Sequence, residues 1–322
     1  MGVGIKSRIA TLRLREQFKK YNLAILLIVF IIVASSLSNK FFTISNLFNI
    51  IQQSSVVGII TLGMTYVILV AGIDLSVGST AAFSGMVSTI LISQHLPVIM
   101  SIVVAIFAGA IIGLINGWFS SYGGLPSFIV TLATMVAVRG ATFILTNGTP
   151  IYGLSSGFTF IGTGTIGQFP ISGAIWIIIT LVLLIISKYT GYGRNLYAVG
   201  GNPEASYLSG IKVNFVVLIA FTISGILSAF AGILLASWLT VGQPTAATGV
   251  ELNAIAAVVL GGTSLFGGKG GILGSFIGVL LMAVITNIFN LVGLGSYYQS
   301  VFMGVIIVGA LMMNKYLVGE KS

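Results

Sequence analysis

The sequence lacks cysteine and is poor in charged residues. The absence of cysteine in 322 residues excludes disulfide bonds and thiol chemistry. Only 6% of the residues are charged and 57% are hydrophobic, whereas soluble proteins carry about a quarter charged residues. A water-exposed globular surface is therefore excluded, and the mean hydropathy of +1.12 indicates a polytopic membrane protein.

The apolar segments are continuous and long enough for helices, without the alternation of a membrane barrel. We therefore expect an all-α membrane protein of about ten transmembrane helices. No cleavable signal peptide is expected, because Asn39-Lys40-Phe41-Phe42 follows the first apolar run. The predicted helices have these approximate bounds: 23–38, 45–70, 80–93, 99–120, 127–146, 172–187, 213–239, 251–265, 271–292 and 297–314.

The net charge of +9 is a topology signal and does not indicate nucleic-acid binding. Alternating the helices from a cytoplasmic N-terminus places every basic residue except Lys40 and Arg139 on the cytoplasmic side. Both termini are therefore expected in the cytoplasm. The expected parts are a basic segment at 1–21, one membrane domain at 22–316 with a cytoplasmic segment at 188–213 and an external loop at 147–171, and a tail at 317–322.

The polar segment Lys188–Lys212 carries the signals of a short helix. Asn202 can cap it, Pro203 suits its first position, and Glu204 favours the positive end of its dipole. Gly210 can end it in a left-handed conformation. The helix is either a connector or a docking element for a cytoplasmic partner. The predicted element comprises Asn202, Pro203, Glu204, Ala205, Ser206, Tyr207, Leu208, Ser209 and Gly210.

Few charged residues lie at membrane depth, so each one is informative. Asp74 interrupts a hydrophobic run between glycines, and we favour a role in satisfying the broken helix over direct contact with a substrate. Arg139 falls inside a predicted helix, where its partner could be Asp74 or a backbone carbonyl. Glu251 is either an N-terminal helix carboxylate or a rim contact for an external partner.

The sequence offers no convincing catalytic set. It has one histidine and few acids, and Gly267-Gly268-Lys269-Gly270 lacks the spacing and hydroxyl of a phosphate-binding loop. The chain is not expected to hydrolyse ATP. An ion-coupled secondary transporter of a small neutral solute remains an alternative that requires a titratable group such as Asp74. A membrane-embedded enzyme is the least supported reading.

Three motifs resemble the bacterial ABC-importer permeases for simple sugars, over nearly the whole chain. They are Gly72-Ile73-Asp74-Leu75-Ser76-Val77-Gly78, then Gly200-Gly201-Asn202-Pro203-Glu204-Ala205 with Ser209-Gly210-Ile211, and Glu251 to Ser264. Phe41 to Ile50, Gln243-Pro244-Thr245-Ala246 and Ser296-Tyr297-Tyr298-Gln299 are similar to members that carry ribose. Members for galactose, arabinose, xylose or a sugar-like autoinducer share most of these motifs, and many have Asp at the position of Asn253.

The resemblance implies a membrane permease that imports a monosaccharide, such as ribose or another pentose, by alternating access. It also implies a second permease copy, a cytoplasmic ATPase with two nucleotide-binding modules that uses ATP and Mg, and an extracytoplasmic sugar-binding protein. This chain itself would bind no cofactor and no metal, and would lie among lipids in the bacterial cell (inner) membrane. Residues Asn202–Gly210 would receive the ATPase. The substrate pathway would include Gln52, Gln53, Asp74, Ser76 and Asn253.

Overall fold

The computed structural model describes residues 23–295, 297–299, 301–302, 304–305 and 308–309. The predicted segments at 1–21 and 317–322 lie outside the described residues, as does part of the predicted helix at 297–314. The described residues within that last helix are helical.

The chain forms helices and one small hairpin. Its elements are α1 (Leu23–Leu37), α2 (Ile44–Leu69), α3 (Val77–Ser93), α4 (Val98–Ser121), α5 (Ser127–Thr146), α6 (Ser156–Thr163), β1 (Thr165–Ile166), β2 (Phe169–Pro170), α7 (Ile171–Tyr189), α8 (Gly191–Gly201), α9 (Pro203–Leu208), α10 (Val213–Leu239), α11 (Val250–Leu260) and α12 (Ile272–Val292).

Six of the described helices are long and apolar enough to cross a membrane, namely α2, α4, α5, α7, α10 and α12. Helices α1, α3 and α11 are apolar but shorter. The sequence prediction of a span at 251–265 was wrong in length, because α11 ends at Leu260. Gly262 follows with a φ of +81°, so the chain leaves the helix there. At about 1.5 Å per residue, the 11 residues of α11 cover ~16 Å, about half of a bilayer core.

Helix α10 packs against α2, α3 and α4 at the centre of the molecule. Glycines let these helices approach closely: Gly113 of α4 lies against Gly225 of α10, and neither position has space for a Cβ atom. Close approach of backbones through small residues is how helices associate in lipid, where no hydrophobic force drives them together. The glycines of these two helices therefore allow their backbones to pack in direct contact.

Helix α2 is held against α7 by two large buried side chains. The indole of Trp176 occupies the space that a side chain at Gly58 would need. The hydroxyl of Tyr66 donates a hydrogen bond of 2.8 Å to the carbonyl of Leu183. Both contacts fix the orientation of α2, and hence the direction in which its polar residues face.

The segment between α5 and α7 is more ordered than its composition indicated. We expected a long exposed loop because the segment is uncharged and rich in Gly, Ser and Thr, but it contains α6 and the β1–β2 hairpin. Phe158 of α6 is fully buried, and the hydroxyl of Ser237 on α10 donates to its carbonyl over 2.6 Å. Apolar burial and this bond explain why a helix forms in a loop-like composition.

Candidate functional site

A cavity of about 230 Å³ lies between α2, α11 and α12. Cavities for drug-sized ligands measure about 300–1,000 Å³, so this one suits a smaller solute. Its wall mixes apolar and neutral polar side chains and contains no charged residue. The lining residues are Ile50, Gln53, Ser54, Val57, Asn253, Ala257, Val279, Met282, Ala283, Thr286 and Asn287.

Two side-chain amides in this wall are available for a ligand. Gln53 and Asn253 are exposed, and within the described part of the chain neither side chain has a hydrogen-bond partner. An amide group offers both donors and an acceptor, which matches the hydroxyl groups of a neutral polyol. The structure thus brings together two of the five residues predicted for the substrate pathway.

Asn287 lies in the same wall and is tied to the start of α2. Its Nδ2 donates to Oδ1 of Asn46 over 2.8 Å, and Nδ2 of Asn46 donates back to Oδ1 of Asn287 over 3.1 Å. This reciprocal pair fixes α12 against α2 beside the cavity. The sequence analysis did not single out either residue, because a lone asparagine in an apolar helix gives no indication of its partner.

Gln52 does not line the cavity, although it was predicted for the pathway together with its neighbour Gln53. Its Nε2 donates to the carbonyl of Gly162 in α6 over 2.9 Å. Successive residues of a helix point about 100° apart, so adjacent glutamines face different neighbours. The structure therefore gives Gln52 a partner that joins α2 to α6.

Asp74 lies in the break between α2 and α3, is 1% exposed, and has three donors around its carboxylate. The backbone N–H and hydroxyl of Ser76 donate to Oδ1 over 3.0 and 2.6 Å, and the hydroxyl of Ser224 donates to Oδ2 over 2.8 Å. The carboxylate thus stabilises the start of α3 and connects it to α10. These hydrogen bonds are those expected of a carboxylate that satisfies a broken helix, and the structural role of Asp74 stays a prediction.

The network around Asp74 also uses Ser76, the fourth residue predicted for the pathway. Nδ2 of Asn116 on α4 donates to the Ser76 hydroxyl over 2.8 Å, and the Thr134 hydroxyl of α5 donates to Oδ1 of Asn116 over 2.7 Å. Both Ser76 and Asn116 are buried. The chain of bonds joins α3, α4, α5 and α10, away from the cavity lined by Gln53 and Asn253.

Arg139 binds backbone carbonyls, one of the two partners considered from the sequence. Its Nη1 donates to the carbonyls of Pro244 and Ala246, each over 2.9 Å. It therefore holds the segment between α10 and α11. Glu251 lies in the first turn of α11, where a carboxylate interacts favourably with the helix dipole, and its side chain lies against Gly78.

The predicted short helix is present as α9, from Pro203 to Leu208. Oδ1 of Asn202 accepts a 2.9 Å hydrogen bond from the N–H of Ala205, Glu204 lies in the first turn, and Gly210 has a φ of +83°. Leu208 is 80% exposed, although it is apolar. Tyr207 is also exposed, whereas Ser206 is buried. The helix therefore exposes an apolar surface at Tyr207 and Leu208.

Helix α8, which precedes α9, was not predicted. Its four glycines argue against a helix, yet Thr190 caps it by accepting from the N–H of Gly193 over 3.2 Å. One of these glycines, Gly200, is required for packing. It lies directly on the carbonyl of Leu69 at the end of α2, and a Cβ atom would collide there.

The loop between α11 and α12 is hydrogen-bonded to the end of α2 and to α8. The N–H of Gly268 donates to the carbonyl of Leu69 over 3.0 Å, and the hydroxyl of Tyr197 on α8 donates to the carbonyl of Gly270 over 3.1 Å. Burial raises the pKa of Tyr197, so its hydroxyl stays protonated and remains a donor. Phe266, at the tip of this loop, is 83% exposed. The helix α8, the end of α2 and this loop thus form one junction beside α9.

The described part of the chain contains no cluster of His, Cys, Asp or Glu residues that could hold a metal ion. Its helices and neutral cavity define a multi-pass membrane permease. Residues 46–311 match the family of permease components of branched-chain amino acid transport systems, and the chain belongs to this family. It is a protein of the bacterial cell membrane.

Individual relatives in this family cover nearly the whole chain. The chain is 43% identical over 301 residues to the ribose import permease protein RbsC of Haemophilus influenzae, covering 92% of this chain and 93% of the relative. It is 40% identical to RbsC of Bacillus subtilis, covering 90% of each chain. Identity to the xylose transport system permease protein XylH of Escherichia coli K12 is 33%, over 92% and 93% of the two chains. No solved structure matches the chain.

Proposed function

We propose that the chain is the transmembrane permease subunit of an ATP-driven importer for ribose. The observation that carries this proposal is the 43% identity to ribose import permeases over more than nine-tenths of the chain. Relatives that carry other sugars are more distant, with 37% identity for the D-allose permease and 35% for an L-arabinose permease. The neutral cavity with the free amides of Gln53 and Asn253 suits an uncharged sugar.

The proposed topology has ten membrane helices and both termini in the cytoplasm. The helices would be α1 to α5, α7, α10, α11, α12 and the segment near 297–314. Contacts between distant segments support this alternation. Leu69 contacts Gly200 and Gly268, and the proposed topology places all three residues on the cytoplasmic side. Ile151 pairs with Gly242, and the topology places both residues on the external side.

Ribose would pass along the wall formed by α2, α11 and α12. Gln53 and Asn253 would exchange hydrogen bonds with the sugar hydroxyls as water leaves, without the strong charge pairing that would hold the sugar in place. Asp74, Ser76 and Gln52 would keep the surrounding helices in position. The cavity opens to the outside of the single chain, and Leu252 beside it is exposed, so a second permease copy would complete the pathway.

The ATPase would bind at α9 and drive alternating access. A cytoplasmic subunit with two nucleotide-binding modules would use ATP and Mg, whereas this chain would bind no nucleotide. Movement of α9 would reach the cavity through the junction of α8 with the loop that connects α11 and α12, because Gly268 and Gly270 are bonded there. A sugar-binding protein would deliver ribose from outside, with Glu251 near the rim.

The proposal is tested by uptake of labelled ribose in cells that lack their own ribose permease. The cells express the chain together with its ATPase and sugar-binding protein, and unlabelled allose, arabinose or xylose is added as a competitor. We expect saturable ribose uptake that the other sugars compete with only weakly. Stronger competition by unlabelled xylose or arabinose than by unlabelled ribose would overturn the assignment of the sugar, and the absence of labelled ribose uptake would overturn the proposal.

A further inference from the structure

A second cavity, of about 620 Å³, lies where α7 ends and α12 begins. Lys188 comes from the last turn of α7, Arg194 and Tyr197 come from α8, and the residues from Gly271 to Gly274 form the start of α12. The cavity is separate from the neutral one between α2, α11 and α12, and it shares no lining residue with that cavity.

The charge of this second cavity is uniformly positive. Lys188 and Arg194 are its only ionisable residues besides Tyr197, and no acid lines it. Both basic side chains are exposed, and among the described residues neither forms an ion pair. The Nζ atom of Lys188 lies 5.7 Å from the centroid of the Tyr189 ring. Two unneutralised cations at one opening require an anion, or water and salt, as the counter-charge.

The start of α12 adds backbone donors to the same cavity. The first N–H groups of a helix have no partner within the helix, and the helix dipole makes this end positive. Gly271 donates its N–H to the hydroxyl of Thr263 over 3.2 Å, which leaves the amides of Ile272 and Leu273 as the next donors. Together with the two cations, they form a site whose donors suit a phosphate group.

An apolar surface continues from the cavity along the membrane helices. Leu273 at its edge is exposed, as are Ile185 and Leu181 on α7. Both α7 and α12 are long and apolar enough to cross a membrane, so the cavity lies at a membrane–water interface. Basic pockets between membrane helices on the cytoplasmic side are where acidic lipid headgroups bind.

We propose that Lys188, Arg194 and the start of α12 bind the phosphate headgroup of an anionic phospholipid, whose acyl chains lie along α7 and Leu273. The assignment to the cytoplasmic leaflet rests on the topology given under the proposed function, but the binding itself does not. A lipid held there would contact α8 and the loop before α12, both of which belong to the junction beside α9.

The test is native mass spectrometry of the full-length chain in detergent, with phosphatidylglycerol, phosphatidylcholine or inorganic phosphate added. We expect phosphatidylglycerol to bind in preference to both other probes. The double variant K188Q/R194Q should weaken that binding about 30-fold, because each basic residue near an anionic headgroup contributes about fivefold. K188R/R194K keeps the charges and should retain binding, and K212Q, which removes an exposed lysine outside the cavity, should change nothing.

Each of the following four outcomes would overturn the proposal. Unchanged phosphatidylglycerol binding by K188Q/R194Q would show that the lipid lies elsewhere. An equal loss in K212Q would show a general effect of charge. Equal binding of phosphatidylcholine would exclude recognition of an anion, and binding of inorganic phosphate alone would exclude a lipid. The measurement needs no transport, so it separates this proposal from the proposed function.

Discussion

The carboxylate of Asp74 provides the sharpest distinction between a structural group and one that couples ions to transport. Replacing Asp74 by alanine would leave three donors without an acceptor: the backbone N–H and hydroxyl of Ser76 and the hydroxyl of Ser224. Each buried donor without a partner costs about 1–3 kcal/mol, so the loss should be at least ~3 kcal/mol. That is a large share of the ~5–15 kcal/mol by which a native fold is stable.

Milder substitutions should give smaller losses at the same place. Asp74→Asn keeps one carbonyl oxygen for Ser76, while the Ser224 hydroxyl can turn to accept from the new amide. The expected loss is about 1–2 kcal/mol, because only the charge-assisted part of the bonds disappears. Ser224→Ala removes a single bond to a charged group and should cost about 1.5–3 kcal/mol. Glu204→Gln, which removes an exposed carboxylate, should change stability by less than ~1 kcal/mol.

Thermal unfolding in detergent and ribose uptake by the reconstituted importer would be measured on the same preparations. We expect the unfolding midpoint to fall in the order Glu204→Gln, Asp74→Asn, Asp74→Ala, with uptake per folded Asp74→Asn molecule close to the wild type. An Asp74→Asn protein as stable as the wild type that no longer transports would refute a structural role. It would support ion coupling through Asp74.

Five further substitutions test three other parts of the structure. Gln53→Leu should lower ribose uptake several-fold without changing stability, whereas Gln52→Leu should cost about 1 kcal/mol in unfolding because the bond to Gly162 is lost. Gly200→Ala should destabilise the chain by about 1–3 kcal/mol through its collision with backbone, whereas Gly201→Ala, which has open space, should be neutral in thermal unfolding. Leu208→Ser should weaken binding of the ATPase, measured with purified subunits, by about 2 kcal/mol or ~30-fold.

The neighbouring substitutions serve as controls for one another. Equal loss of uptake in the two glutamine variants would show that the cavity wall has no special role. Equal stability of the two glycine variants would show that the contact between Gly200 and the Leu69 carbonyl leaves room for a Cβ atom. For the ATPase, Tyr152→Ser replaces an exposed residue on the other side of the proposed membrane and should leave binding unchanged. A similar loss there would remove the argument for a docking surface on α9.

The short helix α9 could be predicted because its signals are local. A capping asparagine, a proline in the first turn and a glycine after the end act within a few residues, and no distant contact is needed. Helix α8 could not be predicted in the same way. Its glycines lower the intrinsic stability of a helix, and one of them, Gly200, provides close contact with Leu69 and Gly268, which are far away in the sequence.

In the candidate site, too, the local sequence indicated the residues of interest, whereas contacts between distant segments determined what each of them faces. The sequence analysis placed both Gln52 and Gln53 on the predicted substrate pathway, but the direction of each side chain depends on how Trp176 and Tyr66 fix α2 against α7. The glutamine that lines the cavity therefore could not be chosen from the pattern. Arg139 was recognisable as a residue that needs an acceptor, whereas the identity of that acceptor depended on where the segment after α10 lies.

The central claim is that this chain imports ribose only as part of an ATP-driven assembly. The most direct test is uptake of labelled ribose into proteoliposomes that contain the purified chain, with the ATPase, the sugar-binding protein and ATP with Mg added singly and together. We predict uptake only when all of them are present, and none with an ion gradient alone. Ribose uptake by the chain alone, driven by a proton or sodium gradient, would contradict the account.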